Sequence, residues 1–292
     1  MTPERAPVLE IVLAAWAVLS GAAIGSFLNV VVARLPAGES IVHPRSRCPS
    51  CLAPIAWYDN LPVLSWLLLR ARCRACRAPI SVRYPLVELA GGGAAWMAFA
   101  RRGLTPAALA EFAFVAALLV IALIDLDTWS VYRIVSFPLI GLGLLANASG
   151  AGAAGSLGSA VTGAAVAFGA LGLFAWGATV VFRRLGRIEP WEEAMGFGDV
   201  HILTAAGAFL GVGALLPVLL LASIQGSLVG GLLVLVGRST RGVRQGGEVH
   251  ADGFAPPRHA IPFGPFLALA AVEWLYVAAP LVSAVPALSP FL

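Results

Sequence analysis

Apolar runs of membrane-crossing length recur along this chain, and one of them, ending in Leu118–Ile124 (LLVIALI), closes directly on a carboxylate, Asp125. A bilayer core about 30 Å thick needs about 20 apolar residues per helical crossing. Inside lipid every backbone N–H and C=O must be satisfied internally, which restricts such segments to helices or closed barrels. Their length and continuous apolarity select helices. Composition agrees: 59% of the 292 residues are hydrophobic and 12% charged, with a mean hydropathy of +0.88, against about 25% charged residues in soluble domains. The chain reads as an all-α polytopic membrane protein, in contact with membrane lipid, and not as a water-soluble enzyme.

Eight spans are expected, at about Val8–Ala33, Pro85–Ala100, Pro106–Ile124, Ile134–Leu145, Leu157–Phe182, Val200–Leu210, Ala214–Val236 and Phe263–Val282. The N-terminal run reads as a retained first span and not as a cleaved signal, because it continues unbroken through Gly25 to Val32. The expected organisation is a first transmembrane helix (1–33), a polar insertion (34–84) and a helical membrane domain (85–292). Small residues crowd the fifth span, with Gly158, Gly163, Gly169, Gly172 and Gly177, and these let helices approach closely in lipid.

All 19 basic residues are arginine. If the polar insertion is cytoplasmic, span parity places every arginine except Arg5, Arg101 and Arg102 on the cytoplasmic side, the bias that orients membrane proteins. Topology thus accounts for the net charge of +4 and no nucleic-acid partner is implied. The same parity puts Asp125 and Asp199 at one, cytoplasmic, face.

Asp199 closes the motif Gly196-Phe197-Gly198-Asp199. Glycine permits unusual backbone angles and close approach of another chain. An ionisable group at membrane depth is a functional-site hypothesis by default, and two carboxylates at matching depth can share a proton and activate water. The alternative is plain: Asp199 as an N-cap and Asp125 as a solvated helix end. Asp127 points away from Asp125, since residues two apart on a helix differ by about 200°. Glu10 and Glu111 lie near outer span ends and read as interfacial. Glu88 sits one turn inside the second span, and Glu273 lies mid-span facing the bundle interior.

The insertion holds all four cysteines, in two CxxC pairs: Cys48-Pro49-Ser50-Cys51 and Cys73-Arg74-Ala75-Cys76. This is zinc-ribbon spacing, in which two turns each supply two thiolates to one tetrahedral ion. A closed four-cysteine site has no open coordination position and serves structure, which a segment of about 50 residues needs. Reduced or redox-active dithiols are the other reading, since a reducing cytoplasm disfavours structural disulfides.

Together these segments resemble the type IV prepilin leader peptidases, membrane aspartic proteases of the GxGD class. The resemblance rests on Gly25–Pro36 (GSFLNVVVARLP), Pro44–Cys51 (PRSRCPSC), Ile55–Ser65 (IAWYDNLPVLS), Arg70–Cys76 (RARCRAC), Ile80–Leu89 (ISVRYPLVEL), Asp125-Leu126-Asp127, Gly196–Val200 (GFGDV) and Ile261–Ala268 (IPFGPFLA). It implies removal of the basic leader of type IV prepilins or pseudopilins, after a glycine, at the cytoplasmic face of the bacterial inner membrane. It further implies N-methylation of the new terminus with S-adenosylmethionine, in the service of type IV pili or type II secretion. The family's catalytic aspartates fall on Asp125 and Asp199, and its zinc ligands on Cys48, Cys51, Cys73 and Cys76. No glycine-rich nucleotide loop after a strand locates the methyl donor. Two positions depart from the family pattern. Tyr132-Arg133 stand where Pro-Asp is usual, and His201 stands where lysine is usual, which bears on pH optimum and substrate choice. A non-catalytic, zinc-stapled prepilin-binding assembly factor is the alternative the resemblance leaves. A proton-coupled transporter would call for internal repeats, which the sequence does not display.

Overall fold

A computed structural model of the chain describes residues 5–188, 194, 196–236 and 261–278. The expected polar loop with Arg238, Arg241, Arg244 and Arg258 lies outside the described residues, as does the end of the eighth expected span. Each expected span is helical where described. Four helical stretches are long and apolar enough to cross a membrane: Val8–Arg34, Pro106–Thr128, Leu157–Arg184 and Val212–Leu235. Arg133–Ala148, Phe197–Leu210 and Gly264–Val277 are shorter apolar helices.

The chain divides into two compact units, Met1–Ala116 and Ala117–Leu292. In the first, α1 (Arg5–Arg34) packs along α3 (Arg83–Arg102). The contact is backbone against backbone. A Cβ placed on Gly21 would lie 2.5 Å from the Gly91 carbonyl oxygen, closer than any side chain tolerates. Glycine is required there, and close packing replaces the hydrophobic drive that lipid cannot supply. Beside this seam Asn29 Nδ2 donates to the Tyr84 carbonyl at 3.2 Å.

Between α1 and α3 the chain forms the cysteine-bearing insertion, with a short 3-10 turn (Trp57–Asn60) and one turn of helix, α2 (Leu64–Leu68). Glu88 fastens it: its Oε2 accepts from the Val63 amide at 2.7 Å. Glu111, expected near an outer span end, has protein partners. It lies in α4 (Pro106–Thr128), is fully buried, and pairs with Arg102 at 2.7 Å and Arg101 at 3.7 Å. A buried carboxylate needs such partners, and the arginines ending α3 supply them.

The second unit is built around α8 (Phe197–Leu210), in which every residue from Val200 to Leu210 is buried. Such a helix has no polar face to offer water. On one side lies α5 (Arg133–Ala148), where a Cβ on Gly143 would meet the Ala208 backbone at 2.7 Å. Elsewhere it is flanked by α6 (Leu157–Val166), which passes through a π-helical turn, Ala167–Leu171, into α7 (Gly172–Arg184). Asn147 ties the far end of α8, its Nδ2 donating to the Ala208 and Phe209 carbonyls at 3.0 and 3.1 Å. The helices α9 (Leu215–Leu235) and α10 (Gly264–Glu273) pack together. Gln225 Nε2 donates to Glu273 Oε2, so the mid-span carboxylate has an interior partner.

Candidate functional site

Asp125 ends the apolar stretch of α4, and its side chain is buried, 6% exposed. Asp199 occupies the third position of α8 and is half-buried. The two carboxylates, from separate helices, act on each other as like charges. A third element completes the site. Gly264, the first residue of α10, lies against the Asp125 carboxylate, since a Cβ there would be 2.5 Å from Asp125 Oδ2, and its amide acts on that carboxylate. Asp127 is exposed, on the other side of α4, as the helical angle requires.

The two glycines of the GFGD motif differ. A Cβ on Gly198 would lie 2.6 Å from Val131 Cγ2. Gly198 therefore lets the start of α8 seat against the turn that follows α4, and it is this contact, not approach by another chain, that fills the space. Gly196 has open space around it and ordinary extended angles, φ −66° and ψ 135°.

His201 is buried and packs edge-to-face with Phe137, ring centroids 5.3 Å apart. Arg133 is exposed, and its charge bears on His201. The two departures from the family pattern are thus neighbours, one at the start of α5 and one on α8.

The four cysteines form the second cluster, within the first unit. Their sulfurs all lie within 4.8 Å of one another, and Cys48 Sγ is 3.8 Å from Cys76 Sγ. Four sulfurs at about 2.3 Å from a tetrahedral zinc sit about 3.8 Å apart, so the donor set and its spacing fit a metal ion. The two turns are copies. In the first, Cys48 N donates to Ala53 O at 3.0 Å and Leu52 N to Cys48 O at 2.9 Å. In the second, Cys73 N donates to Ala78 O at 2.8 Å and Arg77 N to Cys73 O at 3.0 Å. Leu52 and Arg77 take the same left-handed conformation, φ 59° and 62°. Bridges join Arg47 to Pro54 and Arg72 to Pro79. The underlying repeat, Arg-Cys-x-x-Cys-x-Ala-Pro, occurs at Arg47–Pro54 and Arg72–Pro79. It was legible in the sequence beyond the CxxC spacing.

Amides of Cys51 and Ser50 aimed at Cys48 bring its thiol down to about 6. At Cys76 the Ala78 amide works in the same direction, but the Cys51 thiol, burial and the other two thiols outweigh it and push Cys76 up to about 11. Four sulfurs this close cannot all be thiolates without a cation among them. Arg74, inside the second turn, forms a two-pronged pair with Asp59: Nε to Oδ2 at 2.7 Å and Nη2 to Oδ1 at 2.6 Å. The Arg74 guanidinium holds the Asp59 carboxyl below its ordinary range and lies 5.6 Å from the Tyr58 ring centre.

Comparison with known proteins covers both clusters. Residues 19–102 match the bacterial peptidase A24 N-terminal domain and residues 112–231 the type IV leader peptidase family. A prepilin leader peptidase/N-methyltransferase of Myxococcus xanthus (strain DK1622) is 43% identical over 240 residues, 81% of this chain and 68% of that protein. One of Burkholderia pseudomallei (strain 1026b) is 38% identical over 291 residues, 91% of this chain and 86% of the relative. One of Klebsiella pneumoniae is 39% identical over 229 residues, 76% and 96% respectively. No solved structure matches the chain. The cysteines fall in the first matched region and both aspartates in the second, while Gly264 lies beyond either.

Proposed function

The chain belongs to the type IV leader peptidase family, and from that premise we propose that it is a membrane aspartic endopeptidase in which Asp125 and Asp199 activate water against the leader of a type IV prepilin or pseudopilin. The observation that carries this reading is that two carboxylates from different helices, α4 and α8, lie near enough for the charge of Asp125 to act on Asp199. An N-cap and a solvated helix end would not need each other. Here the Asp125 side chain is buried, the Asp199 side chain is half-buried, and the charge of the one acts on the other.

The chemistry follows from the pairing. Two carboxyls at short range share one proton. The ionised one draws a proton from water, the protonated one polarises the scissile carbonyl, and the water oxygen attacks without an acyl-enzyme. The part of Asp199 that remains exposed gives water and a peptide access. An apolar substrate helix docked among the spans brings its cleavage point to the membrane surface, after the glycine that ends the leader. We place this surface on the cytoplasmic side of the inner membrane, supported by the arginine distribution, with the shorter apolar helices and α3 completing a set of about eight crossings.

In the insertion, residues 34–84, Cys48, Cys51, Cys73 and Cys76 would hold one zinc ion. With four protein sulfurs it would have no open position, and it supplies folding energy only. The relatives' names also carry N-methyltransferase activity, which in this chain would act on the amine that cleavage exposes and draw on S-adenosylmethionine. Among the described residues no strand-to-helix glycine loop forms to hold such a donor, so no residue is assigned to it. Incubation of the purified enzyme with a synthetic prepilin, read by mass spectrometry, tests both halves. Leader loss at the glycine, and one added methyl group on the amine of the mature product, are expected. An intact substrate would leave the non-catalytic binding reading.

A further inference from the structure

We propose that Gly264 is a positioning residue for the catalytic pair: the absence of a side chain at the start of α10 leaves the room in which the Asp125 carboxylate is held. The inference rests on the aspartic reading above and adds a third element to it.

The geometry is specific. A Cβ on Gly264 would lie 2.5 Å from Asp125 Oδ2 and 2.8 Å from Ile202 Cδ1. The carboxylate therefore occupies the volume that any side chain at 264 would fill. The same residue's amide acts on that carboxylate. At the first position of a helix this N–H has no intrahelical partner of its own. Pro265 follows, the residue type best suited to the first turn because it has no N–H to satisfy. With Oδ2 lodged against Gly264, the other carboxylate oxygen remains for water. The charged and titratable neighbours on the packed elements are Asp199 and His201 of α8 and Arg133 of α5, and of these Asp199 acts directly on Asp125. Backbone φ plays no part, because Gly264 sits in an ordinary helical position.

Adding a methyl here displaces a carboxylate on a side chain that can rotate, so the protein still folds. What is lost is the alignment of Asp125 with Asp199. A misplacement of about 1 Å costs about 100-fold in rate.

The test uses Gly264→Ala, Ile202→Val and the double variant in purified full-length enzyme with a synthetic prepilin. Ile202→Val removes the Cδ1 atom that the new methyl would also strike, so it separates packing from positioning. Expected are near wild-type kinetics for Ile202→Val. For Gly264→Ala, kcat falls by about 100-fold with KM within about twofold, and the double variant is not rescued. Recovery of kcat in the double variant, or a change confined to KM, overturns the inference. Asp125→Asn run alongside distinguishes the two levels. If it cleaves normally, the aspartic reading itself has failed. If it is inactive while Gly264→Ala is normal, only the positioning role has.

Discussion

The cysteine cluster and the proposed carboxylate pair place their side chains by opposite means. In the cluster one eight-residue pattern is written twice, and each copy folds alike from its own hydrogen bonds. The bond from the first cysteine's amide, the left-handed residue after the second cysteine and the Arg-to-Pro bridge all recur. Around the carboxylates nothing repeats. Asp125 ends one helix, Asp199 begins another, Gly264 begins a third, and only the packing of those helices on one another relates them. Local geometry can be preserved by keeping a short motif. Assembled geometry depends on contacts such as Gly198 against Val131 that no motif announces.

That contrast can be broken at either end. The largest effect is expected at the cysteines. Cys48→Ser or Cys73→Ser should take bound zinc from about one ion per chain to none by elemental analysis, since closed thiolate sites supply about 10 kcal/mol or more of metal-binding energy. The insertion should become protease-sensitive. Freshly purified wild-type protein without zinc would mark the site as free dithiols. At the carboxylate end, Gly198→Ala should lower the rate of leader cleavage by about 10- to 100-fold by forcing the start of α8 off Val131. Val131→Ala in the same chain should restore part of it. Loss that persists unchanged in the double variant would assign Gly198 some role other than this contact. The smallest effect sharpens the comparison. Asp59→Asn removes the Arg74 pair from the second cysteine turn, and zinc transfer to a chelator should quicken by about two- to threefold, as befits an exposed ion pair. An unchanged release rate would mean that the turn's own hydrogen bonds suffice.

What the sequence discloses tracks the same division. Helical spans are read from apolar length, and the CxxC spacing announces a cysteine cluster because both are local signals. Asp125 and Asp199 could be placed at a common face by counting spans, but counting carries no distance. The partners of Glu111 were not legible, because Arg101 and Arg102 belong to the end of the preceding helix. A position near a span end does not reveal whether neighbours will fold over it. Glu273 was likewise read without its partner, Gln225, which lies on another helix. Gly264 was visible only as part of Ile261–Ala268. The space that a missing side chain leaves has no trace in the sequence, and it becomes apparent only when the carboxylate is seen in it.

The pairing of Asp125 with Asp199 is most directly tested by Asp125→Asn and Asp199→Asn, each purified, checked for unchanged helical content and zinc, and assayed on a synthetic prepilin by mass spectrometry. Each single change should reduce leader cleavage by about 100- to 10,000-fold, and the double change should be no worse than the more damaging single one, as groups acting as a unit behave. Cleavage at the wild-type rate by either variant would contradict the shared-proton account.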